Sequence, residues 1–125
     1  MGIDIYAEWE IQRENERCNQ SSVWVTAKDN DAGYLREAYH GGPFATRFLF
    51  PEAFASDTAE AMIPAATLRR RLDKALELVE ERQRKLYNAT DEEVEEEKQN
   101  FRDFVELCEH KEKETGKPVR IVASY

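Results

Sequence analysis

Hydrophobic and polar residues alternate near the start of the chain: Ile3, Ile5, Ala7, Trp9 and Ile11 take every second position, with Asp4, Tyr6, Glu8 and Glu10 between them. A period of two sends successive side chains to opposite faces, so this run predicts a strand with one buried face. Arg13 to Ser22 is polar throughout and reads as a turn or loop. The run Val23-Trp24-Val25-Thr26-Ala27, rich in β-branched and aromatic residues, then predicts a hairpin partner for the first strand. Lys28 to Gly33 is a second turn cluster. Phe48 to Phe54 is apolar enough for a core, but Pro51 lacks the N–H that a central strand position requires. That segment is expected to be a short edge strand or a packed loop.

From Pro64 the period lengthens. Leu68, Leu72, Ala75, Leu76, Val79 and Leu86 recur at three and four residues, which predicts a helix with Pro64 in its first turn. Asn88 and Ala89 break the pattern, and Thr90-Asp91-Glu92-Glu93 has the form of a capping box. The second helix has the stripe Val94, Phe101, Phe104, Val105 and Cys108, carboxylates in its first turn, and a stop at Gly116 and Pro118. So short a connection makes the two helices an antiparallel hairpin. Val119 to Tyr125 alternates again and is expected to close the sheet. The pattern therefore predicts an α+β fold: a small antiparallel or mixed sheet, made of an N-terminal hairpin plus a C-terminal strand, with a long antiparallel helical hairpin. The parts are 1–55 for the sheet and a candidate binding loop, 64–115 for the helices and 119–125 for the last strand. Helices this long should project beyond so small a sheet, which predicts self-association through the hairpin or the sheet edge.

A length of 125 residues fits one domain. A net charge of −8 argues against nucleic acid as a partner, because phosphate backbones require a basic face. Cys18 and Cys108 lie far apart without metal-ligand spacing, which suits free thiols in a reducing compartment. No apolar run reaches the ~20 residues of a membrane helix, and Met1 to Tyr6 lacks the form of a secretory leader, so a cytoplasmic protein is expected.

Candidate chemistry concentrates in Gly33 to Arg47. Arg36 and Arg47 offer guanidinium forks for phosphate or carboxylate, beside Tyr34, Tyr39 and Phe44 as stacking surfaces. His40 and the Gly41-Gly42 backbone add hydrogen-bond donors, although Gly41-Gly42-Pro43 also reads simply as a tight turn. Elsewhere, Asp4, Glu8 and Glu10 share a strand face, Arg69-Arg70-Arg71 is a basic run suited to pairing with the acidic second helix, and Glu106, His110 and Glu114 share a helix face. These read as solvated or paired charges, and no metal is assigned.

Met1 to Tyr6, Gly33 to Thr46 and Pro51 to Phe54 together resemble a group of small uncharacterised bacteriophage and prophage proteins, over mainly the first half of the chain. The resemblance implies an origin and leaves any reaction open. Small phage accessory proteins often inhibit or sequester components of host defence. The resulting expectation is a non-enzymatic accessory protein of this kind, possessing no catalytic residue and no cofactor. It would bind a small anionic or nucleotide-like ligand through Tyr34, Arg36, Tyr39, His40, Gly41, Gly42, Phe44 and Arg47. Two alternatives stay open: an acidic inhibitor that blocks a host protein through Asp91 to Glu97, and a small hydrolase or phosphodiesterase using His40 with a strand carboxylate.

Overall fold

The computed structural model describes residues 2–12, 22–26 and 33–125, with side chains for 2–9 and 33–125. The turns expected at Arg13 to Ser22 and Lys28 to Gly33 fall mostly outside the described residues, as does Cys18. The alternating N-terminal run forms the longest strand, β1 (Gly2–Gln12), and the rest of the sheet assembles on its two edges. Strands β2 (Ser22–Thr26) and β3 (Tyr34–Ala38) lie end to end along one edge, with Glu8 opposite Thr26 and Tyr6 opposite Tyr34. The other edge takes β5 (Val119–Ser124), whose outer side pairs with β4 (Glu60–Ile63). Every pairing is antiparallel. The C-terminal strand is therefore internal to the sheet rather than closing it, and β4 supplies the edge.

Ile3, Ile5, Ala7 and Trp9 turn inward, as the period of two requires, and meet Val119, Ile121 and Ala123 of β5 and Ile63 of β4 in the core. Gly2 allows β3 to approach closely, since a Cβ there would stand 2.7 Å from the Glu37 carbonyl oxygen. The helical layer covers this face. Phe48 to Phe54 is neither strand nor loop: it forms two short helices, α1 (Ala45–Leu49) and α2 (Pro51–Ala55), that break at Phe50. Pro51 takes the first position of α2, where its missing N–H leaves no bond unmade, and Phe50 turns into the core against Phe104, with ring centres 5.2 Å apart.

The helical hairpin consists of α3 (Ala65–Tyr87) and α4 (Asp91–Thr115), with Pro64 one residue ahead of the first turn. Asn88 and Gly116 end the two helices in the left-handed conformation. The buried stripe of α3 continues past Leu68, Leu72, Ala75 and Val79 to Arg82, and that of α4 runs from Val94 to Cys108. The outer half of the hairpin is thus covered within the chain, and among the described residues of α3 and α4 only Tyr87 exposes a large apolar side chain. The capping box forms: the Glu93 N–H donates to Thr90 Oγ1 at 3.2 Å and the Thr90 N–H to Glu93 Oε1 at 3.0 Å. Thr90→Ala is expected to cost about 1 kcal/mol, read as a lower urea midpoint at unchanged slope.

Candidate functional site

The segment from Tyr34 to Arg47 is a strand, a turn and the start of a helix, held in place by two buried charged side chains. Leu35 and Glu37 occupy the inward positions of β3. The Glu37 carboxylate reaches the start of α1, where it accepts from the N–H groups of Ala45 and Thr46, each at 2.9 Å, and from the Thr46 hydroxyl. From the other side Arg82, 3 % exposed, donates through Nε to the Gly41 carbonyl at 2.9 Å and through Nη2 to the Ala38 carbonyl. Gly41 adopts φ 129°, a conformation that a side chain would strain.

Around this clamp the aromatic and arginine side chains alternate. His40 Nδ1 lies 2.9 Å from the Tyr87 hydroxyl. The Arg82 guanidinium lies over the rings of Tyr87 and Phe44, at 5.7 and 5.2 Å. Beyond Phe44 comes Arg47, whose guanidinium is 5.9 Å from that ring, 4.7 Å from Phe54 and 5.6 Å from Tyr125. Tyr39 meets Phe44 edge-on at 6.4 Å and is 41 % exposed. Arg47 is itself exposed and has no hydrogen bond or carboxylate partner among the described residues. Its guanidinium carbon lies within about 6 Å of three ring centres while no described group bonds its donors, an arrangement suited to accepting an anion.

Tyr34 and Arg36 belong to a different place. They project from the outer face of β3 toward Asp4, which accepts from Tyr34 at 2.5 Å and from Arg36 at 2.8 and 2.9 Å. Burial pushes the Asp4 carboxyl up, but the bonds from Tyr34 and Arg36 and the Arg36 charge outweigh it, and the net shift is downward. This pair therefore contributes stability above the ordinary aspartate range and loses it as the pH falls. Arg36 and Arg47 share no partner, so the structure separates the two guanidinium groups that the sequence analysis assigned to one ligand.

Other charged candidates have partners. Glu8 holds Arg120, Arg69 pairs with Glu109 of α4, and Arg71 turns instead to Glu52 of α2. Arg70 reaches Thr67. His110 stands 3.6 Å from Glu106, whereas Glu114 takes Lys111. Burial pushes the Cys108 thiol up, leaving it a poor nucleophile at neutral pH. Sequence reasoning missed Glu37, Arg82, Phe54, Tyr87 and Tyr125 as parts of the site. For Arg82 a signal existed, since it extends the spacing of Leu68, Leu72, Ala75 and Val79 by three residues. Among the described residues no helix is long and apolar enough to cross a membrane. No protein family, curated protein or solved structure matches this chain.

Proposed function

We propose that this chain binds a small planar anion of nucleotide type at Arg47 and the rings around it, and sequesters it without chemical change. The observation that carries the reading is the Arg47 guanidinium, exposed and unpaired among the described residues yet laid against Phe44, Phe54 and Tyr125. In a chain with 26 acidic residues, an arginine held away from carboxylates keeps its donors available for a ligand. Phosphate oxygens meet the donor edge, and a base stacks on an exposed ring, for which Tyr39 and Tyr125 are placed. The clamp on Ala38 and Gly41 fixes the turn, so the site is preorganised. An accessory protein of phage type, acting by sequestration against host defence, fits this reading and the resemblance of the first half of the chain.

The two alternatives draw less support. His40 has Tyr87 as its hydrogen-bond partner rather than a carboxylate that would orient a general base. In the acidic run, Asp91 is taken by Arg84, Glu93 by the capping box and Glu95 by Arg102. A thermal-shift panel of linear and cyclic nucleotides tests the proposal. A ligand at a hundredfold its Kd is expected to stabilise the protein by about 2.7 kcal/mol. Arg47→Met should remove that shift while Arg36→Met retains it. A panel without any shift, or a shift that survives in Arg47→Met, overturns the reading.

A further inference from the structure

The outer edge of β3 pairs with no strand among the described residues, and it borders a cleft against the helical hairpin. Two adjoining hollows share Arg36 and Glu97: one of about 350 Å³ extends to Tyr34 and Asn100, and one of about 230 Å³ to Arg82 and Tyr87. The direction of the backbone follows from its contacts. The Ala38 carbonyl faces the hairpin, where it accepts from Arg82, and the Glu37 carbonyl faces Gly2 of β1. Alternate residues of an antiparallel strand direct both backbone groups to the same side, so the N–H and C=O of Tyr34 and Arg36 face the cleft. Such an edge is a template for one more strand.

A strand added there lies over α4, and its inward side chains meet Glu97 and Asn100 rather than an apolar surface. Glu97 has no hydrogen-bond or ion-pair partner among the described residues. Burial and the charges of Glu37 and Glu96 push its carboxyl up against the opposing pull of Arg82, so a cation beside it removes an existing cost. We propose that the β3 edge binds, by strand addition, an extended segment of a partner protein carrying Lys or Arg at the position that faces Glu97. A second copy of β3 fits worse: antiparallel pairing centred on Arg36 sets that residue against its own copy and brings two acidic α4 faces together. Arg36 does not repel the incoming cation strongly, because Asp4 already neutralises it.

The test is an amide NMR titration of the full chain with the capped peptides Val-Thr-Lys-Thr-Val and Val-Thr-Glu-Thr-Val. A third probe is the lysine peptide N-methylated at alternate residues. The lysine peptide should shift the amides of Tyr34 and Arg36 and bind about tenfold more tightly than the glutamate peptide, a preference of the size expected for one favourable charge contact. N-methylation should abolish binding, and Glu97→Gln should bring the two unmethylated peptides within about threefold of each other. Three results would overturn the proposal: no shift at Tyr34 and Arg36, equal binding of the lysine and glutamate peptides to the unsubstituted protein, or concentration-dependent shifts at those amides without peptide. The last assigns the edge to a second copy of the chain. Arg47→Met should leave this titration unchanged, which separates it from the nucleotide site.

Discussion

Glu37→Ala is expected to destabilise the protein by about 3–5 kcal/mol. Three donors lose their acceptor together: the N–H groups of Ala45 and Thr46 and the Thr46 hydroxyl. Thr46 and Ala45 are fully buried, so water does not readily replace the carboxylate, and each orphaned buried donor costs about 1–3 kcal/mol. Relaxation of the turn recovers part of that sum. Glu37→Gln keeps one acceptor oxygen but aims an NH2 group at a backbone N–H, and should fall between alanine and the native residue. Glu37→Asp is too short by one methylene to reach α1 from β3. Urea unfolding at constant slope is the measurement, and a loss below about 1 kcal/mol for Glu37→Ala would show that the contact contributes little. If the proposed ligand site at Arg47 holds, the same substitution should also reduce the nucleotide-dependent thermal shift, because α1 carries Arg47 and is anchored at its first turn by this carboxylate.

The contrast between Glu37 and the helical hairpin shows which parts of the fold were legible in the sequence. Thr90 and Glu93 are three residues apart and satisfy each other, so the start of α4 could be read without knowledge of any distant residue. The stripes of α3 and α4 and the alternation in β1 and β5 are periodic over enough residues to stand out. Strand β4 is not: Glu60-Ala61-Met62-Ile63 is short, lacks clear alternation, and is a strand because β5 pairs with it from about 60 residues further along. The run from Phe48 to Phe54 is too short and too apolar to reveal a helical period, so two helices joined at Phe50 read as a short edge strand or a packed loop. In the candidate site, clustered arginines and aromatics drew attention to one stretch of chain, but composition carries no direction. Adjacent β-strand positions face opposite ways, so Arg36 and Glu37 separate, and Arg47 lies on another element altogether. Glu37 itself drew no reading from the sequence, because the donors it serves lie eight and nine residues away across a turn.

Arg82→Met should cost about 3–4 kcal/mol, and its pH dependence distinguishes a charge effect from lost packing. Methionine replaces the apolar stem but cannot donate to the Ala38 and Gly41 carbonyls, and bonds from a charged donor are worth about 1.5–3 kcal/mol each. Stacking on Phe44 and Tyr87 is lost as well. Arg82→Lys retains the charge without the fork, so it should recover only part of the stability. The pH dependence enters through Glu97. Its carboxyl is raised by burial and by Glu37, and Arg82 is the group that opposes the shift. Without the guanidinium the Glu97 carboxyl rises further. A carboxyl raised in the folded state takes up protons on folding, so its contribution is most favourable below the ordinary glutamate range and is lost as the pH rises through the folded value. The deficit of Arg82→Met should therefore be smallest in acid and grow toward neutrality, while that of Arg82→Lys should change less with pH. Stability curves at several pH values, with a carbon-detected titration of Glu97, read both effects. A deficit of Arg82→Met that is flat across the Glu97 titration would leave only the two carbonyl bonds and the stacking as the role of Arg82.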